Sequence, residues 1–134
     1  MVVKLSTEVK NLLDGPNFAH VATINTDGSP QVTVVWVDRD GELIRINTAE
    51  GRVKPRNIRR DPRVTLSIID QNNPYSWAAI AGRVVEMTPE GGDAHIDSLA
   101  KKYLGVDSYP NRREGEVRLV VVIEPDRVST MNAG

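Results

Sequence analysis

Residues 18–48, FAHVATINTDGSPQVTVVWVDRDGELIRINT, decide the fold. Runs rich in Val, Ile, Thr and aromatic residues alternate here with Asp-Gly pairs at 27–28 and 40–41. β-Branched and aromatic residues suit a pleated strand, and Asp-Gly suits the tight turn that joins antiparallel neighbours. Segments 18–25, 31–37 and 42–48 are therefore predicted as a three-strand meander, the local mark of an antiparallel sheet.

Working outward, Leu5, Val9, Leu12 and Leu13 share one helical face, with Ser6 as N-cap, Glu8 in the first turn and Gly15-Pro16 as the stop. After the meander, Pro55 suits the first turn of a short helix that Asp61-Pro62 ends. Segments 63–69 and 77–87 read as strands around a polar loop, DQNNPYS, long enough to reach a neighbouring subunit. Thr88-Pro89 reads as an N-cap followed by proline at the first helical position. The helix it opens has Ile96, Leu99, Ala100, Tyr103 and Leu104 on one face and ends at Gly105. The last predicted strand is 116–124. The expected fold class is mainly β (α+β), with about six strands and three short helices in one domain over 1–134.

Composition narrows the function. The 134 residues are 40% hydrophobic and 26% charged, with a formal net charge of −1, which is ordinary for a globular chain and gives no global pull toward nucleic acid or membrane. No cysteine is present, so disulfides, thiolate catalysis, iron–sulfur clusters and thiolate zinc sites are excluded together. No run approaches the roughly 20 apolar residues of a membrane-spanning helix, and the expectation is a soluble, cytoplasmic protein. Two segments, VTVVWV and RLVVVIE, are apolar on both faces, whereas a sheet with one face in water would alternate. A barrel interior covers one face; three short helices are too few to cover the rest, so a second subunit is expected.

Catalytic signatures are missing. His20 and His95 are far apart, and His20 on its strand reads as a packed or capped side chain more readily than as a ligand. No H-E-x-x-H, G-x-S-x-G, G-x-G-x-x-G or P-loop pattern occurs. Either the protein is not an enzyme or a cofactor carries the chemistry. One segment stands out: 52–63, RVKPRNIRRDPR, holds six basic residues and one acid. It is either a solvated helix face or an anion site. A strand running into a helix start there offers free N–H groups and a favourable dipole, with Arg52, Lys54 and the Thr48 hydroxyl to converge on a phosphate. No aromatic residue interleaves the run, so a base-stacking nucleic-acid surface is not expected. If the patch is exposed, Lys54→Ala should weaken anion binding and leave stability unchanged, with Arg60→Ala as a silent control. Trp36 and Trp77 are either core anchors or walls of a planar ligand or dimer seam.

The order of helix, VATINTDGSPQVTVVWV, LIRINTAEGRVKPRNIRRDPRVTLSI and YSWAAIAGRVVEM resembles the flavin- and deazaflavin-binding split β-barrel superfamily that includes pyridoxamine 5′-phosphate oxidases. Within it, the chain is most similar to oxidoreductases of actinobacteria that use the deazaflavin coenzyme F420. The likeness runs over about 6–130. Its most specific part is T-x-x-x-R-x-K-x-x-N followed by R-R-D-P-R; the D-G-x-P-Q hairpin is less specific. The resemblance implies an antiparallel split β-barrel, a homodimer with two cofactor clefts at the interface, and a small-molecule substrate. It assigns the cofactor phosphate to Thr48, Arg52, Lys54, Arg56 and Asn57. Pro30, Gln31, Val32 and Thr33 would run beside the ring system, Ile46 and Asn47 would line the cleft, and Trp77 and Ala79 would come from the other subunit. FMN-using relatives typically carry an arginine and a lysine on the second strand, where this chain reads PQVTVVWV. That departure favours F420, with FMN as the alternative cofactor, and speaks against pyridoxamine phosphate as substrate. The implied activity is hydride transfer between reduced deazaflavin and an unsaturated acceptor; the alternative is a coenzyme-binding or carrier protein without turnover.

Overall fold

Two strands that follow each other in the chain stand at opposite edges of one sheet, and this makes the sheet roll. The computed structural model describes residues 3–131. In it, β1 (Ala19–Ile24), β2 (Pro30–Val35), β3 (Val37–Asp40), β4 (Leu43–Ala49), β5 (Arg63–Asp70), β6 (Asn73–Thr88) and β7 (Arg118–Met131) form one antiparallel sheet in the order β2-β1-β5-β6-β7-β4-β3. Only Trp36 separates β2 from β3. One residue spans about 3.5 Å, so the two edges must converge, and the sheet curls into a half-barrel with its seam at Trp36.

Its concave side holds the core: Val21, Ile44, Ile46, Leu66, Ile68, Ile80, Val121 and Ile123 are all nearly or fully buried. Helix α1 (Thr7–Asp14) adds Val9, Leu12 and Leu13, with Ser6 accepting from the Val9 amide as its N-cap. Helix α2 (Val53–Arg60) adds Ile58. Helix α3 (Gly92–Leu104) lies against β7 and β4, bringing Ile96, Leu99 and Ala100 into buried positions. Its first residue must be glycine: a Cβ at Gly92 would collide with the Arg118 carbonyl, so helix and strand meet only because no side chain intervenes. At the other end of α3, Lys102 Nζ donates to the Leu13 and Val37 carbonyls at 2.6 Å, and the Tyr103 hydroxyl donates to Asn17 O at 2.6 Å.

The three helices and the turns at Asp27-Gly28 and Asp40-Gly41 occur as expected, with five corrections. There is no three-strand meander: β2 pairs with β1, and β4 pairs with β3 and β7, so β2 and β4 are not neighbours in the sheet. There are seven strands, because VTVVWV breaks at Trp36 into β2 and the short β3. Thr88-Pro89 does not open α3: β6 continues to Thr88, whose hydroxyl accepts from the Glu90 amide, and Gly91 in a left-handed conformation (φ 76°) turns the chain into the helix. DQNNPYS is no long loop, since β5 runs to Asp70 and β6 restarts at Asn73. The last strand runs on to Met131. The two segments apolar on both faces also part company. β7 is covered on both sides over Arg118–Ile123, whereas Val32 and Val34 of β2 are 60% and 59% exposed on the outer face.

Candidate functional site

A cleft of about 350 Å³ opens where the seam, the start of α2 and the loop after α3 meet. One wall is apolar and aromatic, with Phe18, Val34, Trp36 and Tyr109; the other carries Arg52, Lys54, Asn47 and Arg118. Trp36 stacks on Tyr103 at 5.3 Å and meets Tyr109 edge-on at 6.0 Å. The Tyr109 amide donates to Asp97 on α3 at 2.8 Å, which anchors the loop, and the Arg118 guanidinium lies 5.3 Å from the Tyr109 ring centre. A planar group can rest on this wall while an anion faces the other.

The cationic wall is electrostatically incomplete. Glu116 pairs with Arg118 at 3.2 Å and with Arg52 at 3.5 Å. Lys54 is buried yet has no hydrogen bond or ion pair among the described residues. Burial pushes its pKa down to about 8, and the charges of Arg52 and Arg118 push the same way. Buried charges are ordinarily paired. Lys54 opens on the cleft and feels the charges of Arg52 and Arg118, which makes this wall cationic.

Behind this wall, side chains connect in one hydrogen-bonded chain. Arg118 Nε donates to Asn47 Oδ1 at 2.8 Å, and Asn47 Nδ2 reaches Gly92 O at 3.0 Å and His95 Nδ1 at 3.1 Å. His95 Nε2 lies 3.1 Å from Asp38 Oδ1, and Arg45 grips Asp38 through two bonds of 3.0 and 2.8 Å. Burial works to raise the Asp38 pKa, but the hydrogen bonds from His95 and Arg45 outweigh it and hold the carboxyl below its ordinary value.

The residues singled out in the sequence separate into groups. Asn47, Arg52 and Lys54 come together in the cleft. Ile46 is fully buried in the core. Thr48 is 1% exposed, and its hydroxyl, like that of Thr33, is buried without a partner among the described residues. Arg56 and Asn57 border a separate hollow with Asn25 and Thr26. Asn57 is committed to the fold, donating to Thr23 Oγ1 and Asn25 Oδ1 at 3.0 Å each, and Gln31 accepts from Thr23 Oγ1 at 2.8 Å. Val32 and Ala79 lie on the outer sheet face, as does Trp77 by strand alternation. One expectation about the basic run fails: Lys54 is not exposed, so its replacement bears on stability as well as on binding. Arg60 is exposed and does not line the cleft, but it binds Thr26 Oγ1, Asn57 Oδ1 and the Ile24 carbonyl, so its replacement bears on the fold. The sequence reading missed Arg118 and His95. Arg118 had one available signal, a lone basic residue at the head of an apolar strand; His95 sits on a helix whose apolar face drew attention to its neighbours instead.

Among the described residues, no group of three or more His, Cys, Asp or Glu side chains is placed to hold a metal, and no helix is long and apolar enough to cross a membrane. A rolled antiparallel sheet of this order, with a cation-walled cleft at its seam, defines a split barrel. Residues 5–132 match the profile of the pyridoxamine 5′-phosphate oxidase family, and the chain belongs to that family. Its structural neighbours include an F420 reductase, at 34% identity over 90% of this chain and 94% of that one, with a TM-score of 0.81. A conserved hypothetical protein from Mycobacterium tuberculosis superposes with a TM-score of 0.76 at 23% identity, covering 98% of this chain and 86% of that one. HupZ of Group A Streptococcus does so with a TM-score of 0.68 at 19% identity, covering 97% and 96%. The last two likenesses are of fold alone. Family and reductase neighbour together place the chain among flavin- or deazaflavin-binding oxidoreductases.

Proposed function

We propose that this chain is an F420-dependent reductase that works as a homodimer. The observation that carries the reading is the largely buried Lys54, without a partner among the described residues, sharing one cleft with Arg52, Arg118 and an aromatic wall. That donor set fits a coenzyme joining a planar ring to a phosphate. Lys54, Arg52 and Arg118 would hold the phosphate, while Trp36 and Val34 would flank the ring. Strand β2, which among the described residues pairs only with β1, would offer the backbone groups of its other edge, where Gln31, Val32 and Thr33 lie. Reduced F420 held there would supply hydride donation to an unsaturated acceptor such as an activated alkene, a quinone or a tetrapyrrole. The chain's own part is to bind, orient and exclude water. Thr48, Arg56 and Asn57 do not reach the cleft in this arrangement. FMN is the alternative coenzyme, disfavoured because β2 carries neither arginine nor lysine.

The dimer reading is supported by the outer sheet face. Val34, His20, Ser67 and Ala79 lie in one cross-strand row, beside exposed Val32 and Ile69 and half-buried Trp77. Val34 is also a cleft residue, so a partner seated on this face would complete the cleft, with Trp77 and Ala79 contributed across the interface. Such an interface would bury roughly 2,000 Å² or more.

Trp36 in the cleft wall supplies the assay. Titrating the protein with F420 and with FMN should quench tryptophan fluorescence, with the tighter binding for F420. Tighter binding of FMN overturns the coenzyme assignment. Binding of neither overturns the coenzyme reading itself. A monomeric mass by light scattering at micromolar concentration overturns the dimer.

A further inference from the structure

The hydrogen-bonded chain behind the cationic wall fixes more than it first shows. Arg118 can only donate, so the atom of Asn47 facing its Nε is the carbonyl oxygen. The Gly92 carbonyl can only accept, so the atom facing it is the amide nitrogen. The Asn47 amide therefore has one permitted orientation, and its nitrogen is also the atom 3.1 Å from His95 Nδ1. Nδ1 must then be an unprotonated acceptor. The imidazole proton sits on Nε2, where the Asp38 carboxylate receives it at 3.1 Å. Arg45 holds that carboxylate bidentately from the next strand. Each group in the series has its role set by its neighbours, and the series ends on a guanidinium that lines the cleft.

We propose that His95 is a positioning residue for the anion site: its bare Nδ1, acting through Asn47, fixes the rotation of the Arg118 guanidinium in the cleft. The proposal rests on reading the cleft as the seat of the coenzyme's phosphate. His95 is 5% exposed and does not line that cleft, so its effect on binding is transmitted rather than direct. Without the Nδ1 acceptor, the Asn47 amide loses one of its three anchors. Arg118 Nε and the Gly92 carbonyl still set its orientation, but its carbonyl oxygen is held less tightly, and with it the Nε end of Arg118, while Glu116 keeps its hold on Nη1.

Two substitutions separate positioning from packing. The amide oxygen of His95→Asn falls near Nδ1 and keeps the acceptor for Asn47, while the contact with Asp38 is lost. The amide nitrogen of His95→Gln falls near Nε2 and keeps the donor for Asp38, while the contact with Asn47 is lost. In 15N NMR of the ligand-free protein, His95 should show an Nε2-protonated neutral ring. The Arg118 Nε–H signal should stay sharp in wild type and His95→Asn and be lost to exchange in His95→Gln. With F420 as the probe, His95→Gln should bind roughly five- to tenfold more weakly, and His95→Asn within about twofold of wild type. A ring protonated on Nδ1, an Arg118 signal unchanged in His95→Gln, or equal weakening by both variants overturns the proposal. Lys54→Ala runs alongside. If it binds F420 like the wild type, the cleft is not the coenzyme's anion seat, and that reading fails; the Arg118 signal still decides, without ligand, whether His95 positions Arg118.

Discussion

Replacing Lys54 by Met keeps an unbranched apolar stem and removes the charge. In the ligand-free protein the lysine is 9% exposed, has no carboxylate partner among the described residues, and has its pKa brought from 10.5 to about 8. A lysine with a depressed folded pKa holds its proton more tightly in the unfolded chain. Between about 8 and 10.5 the unfolded state binds more protons, so stability rises with pH through that window and the cost is fully present below it. At about 1.4 kcal/mol per pKa unit, the charged lysine costs on the order of 3 kcal/mol near neutral pH. Lys54→Met should therefore raise the urea midpoint near neutral pH by the equivalent of about 1–3 kcal/mol, with the gain shrinking toward zero as the pH approaches 10.5. The same variant should bind F420 roughly 10- to 150-fold more weakly, having lost a charge-assisted contact. A gain in stability joined to a loss of affinity is the signature of a residue kept for binding. Unfolding curves at a series of pH values, with fluorescence titrations on the same samples, test both halves. A variant less stable than wild type near neutral pH, or one whose advantage does not change with pH, refutes the account of Lys54 as an uncompensated buried charge.

Other substitutions probe the frame around the cleft. Gly92→Ala drives a methyl into the Arg118 carbonyl and should cost about 1–3 kcal/mol in chemical unfolding; a neutral result would mean that α3 does not lie this close to β7. Thr48→Val removes a buried hydroxyl without a partner and should leave stability unchanged or raise it by about 1 kcal/mol; a clear thermal destabilisation would show that the hydroxyl is bonded. Val32→Glu combined with Val34→Glu places two charges on the outer face and should convert a dimer to monomer in light scattering. A mass identical to wild type would place the interface elsewhere.

Much of the fold can be read locally because local chemistry sets it. Asp27-Gly28 and Asp40-Gly41 mark the turns, and the spacing of Val9, Leu12 and Leu13 marks a helix whose buried face they form. Trp36 could not be read that way. VTVVWV is continuous in hydrophobicity, and only the pairing of β2 with β1 and of β3 with β4 splits it into opposite sheet edges. The start of α3 was hidden for a related reason: Thr88-Pro89 has capping chemistry, but pairing with β7 holds Thr88 in a strand. At the site, Arg52 and Lys54 were legible as a basic cluster. The burial of Lys54 was not, because it depends on α2 docking against the sheet. Arg118 and Glu116 are more than sixty residues away in sequence from the cations they meet, and His95 acts through a partner that only tertiary packing supplies.

The place of β7 has a consequence for the order in which the molecule can be built on the ribosome. β7 lies between β6 and β4, yet it follows all six other strands of the described residues in sequence. Until it emerges, the nascent chain holds two strand-paired pieces, β2-β1-β5-β6 and β4-β3, linked at Trp36 and through α2, each with an open edge awaiting the same partner. Open edges are where other chains can pair, so this interval is when the newborn chain is most exposed to mispairing. Arg118 heads the strand that ends the interval. The cleft thus gains the guanidinium of Arg118 only in the step that joins the two pieces, so its cationic wall is completed last.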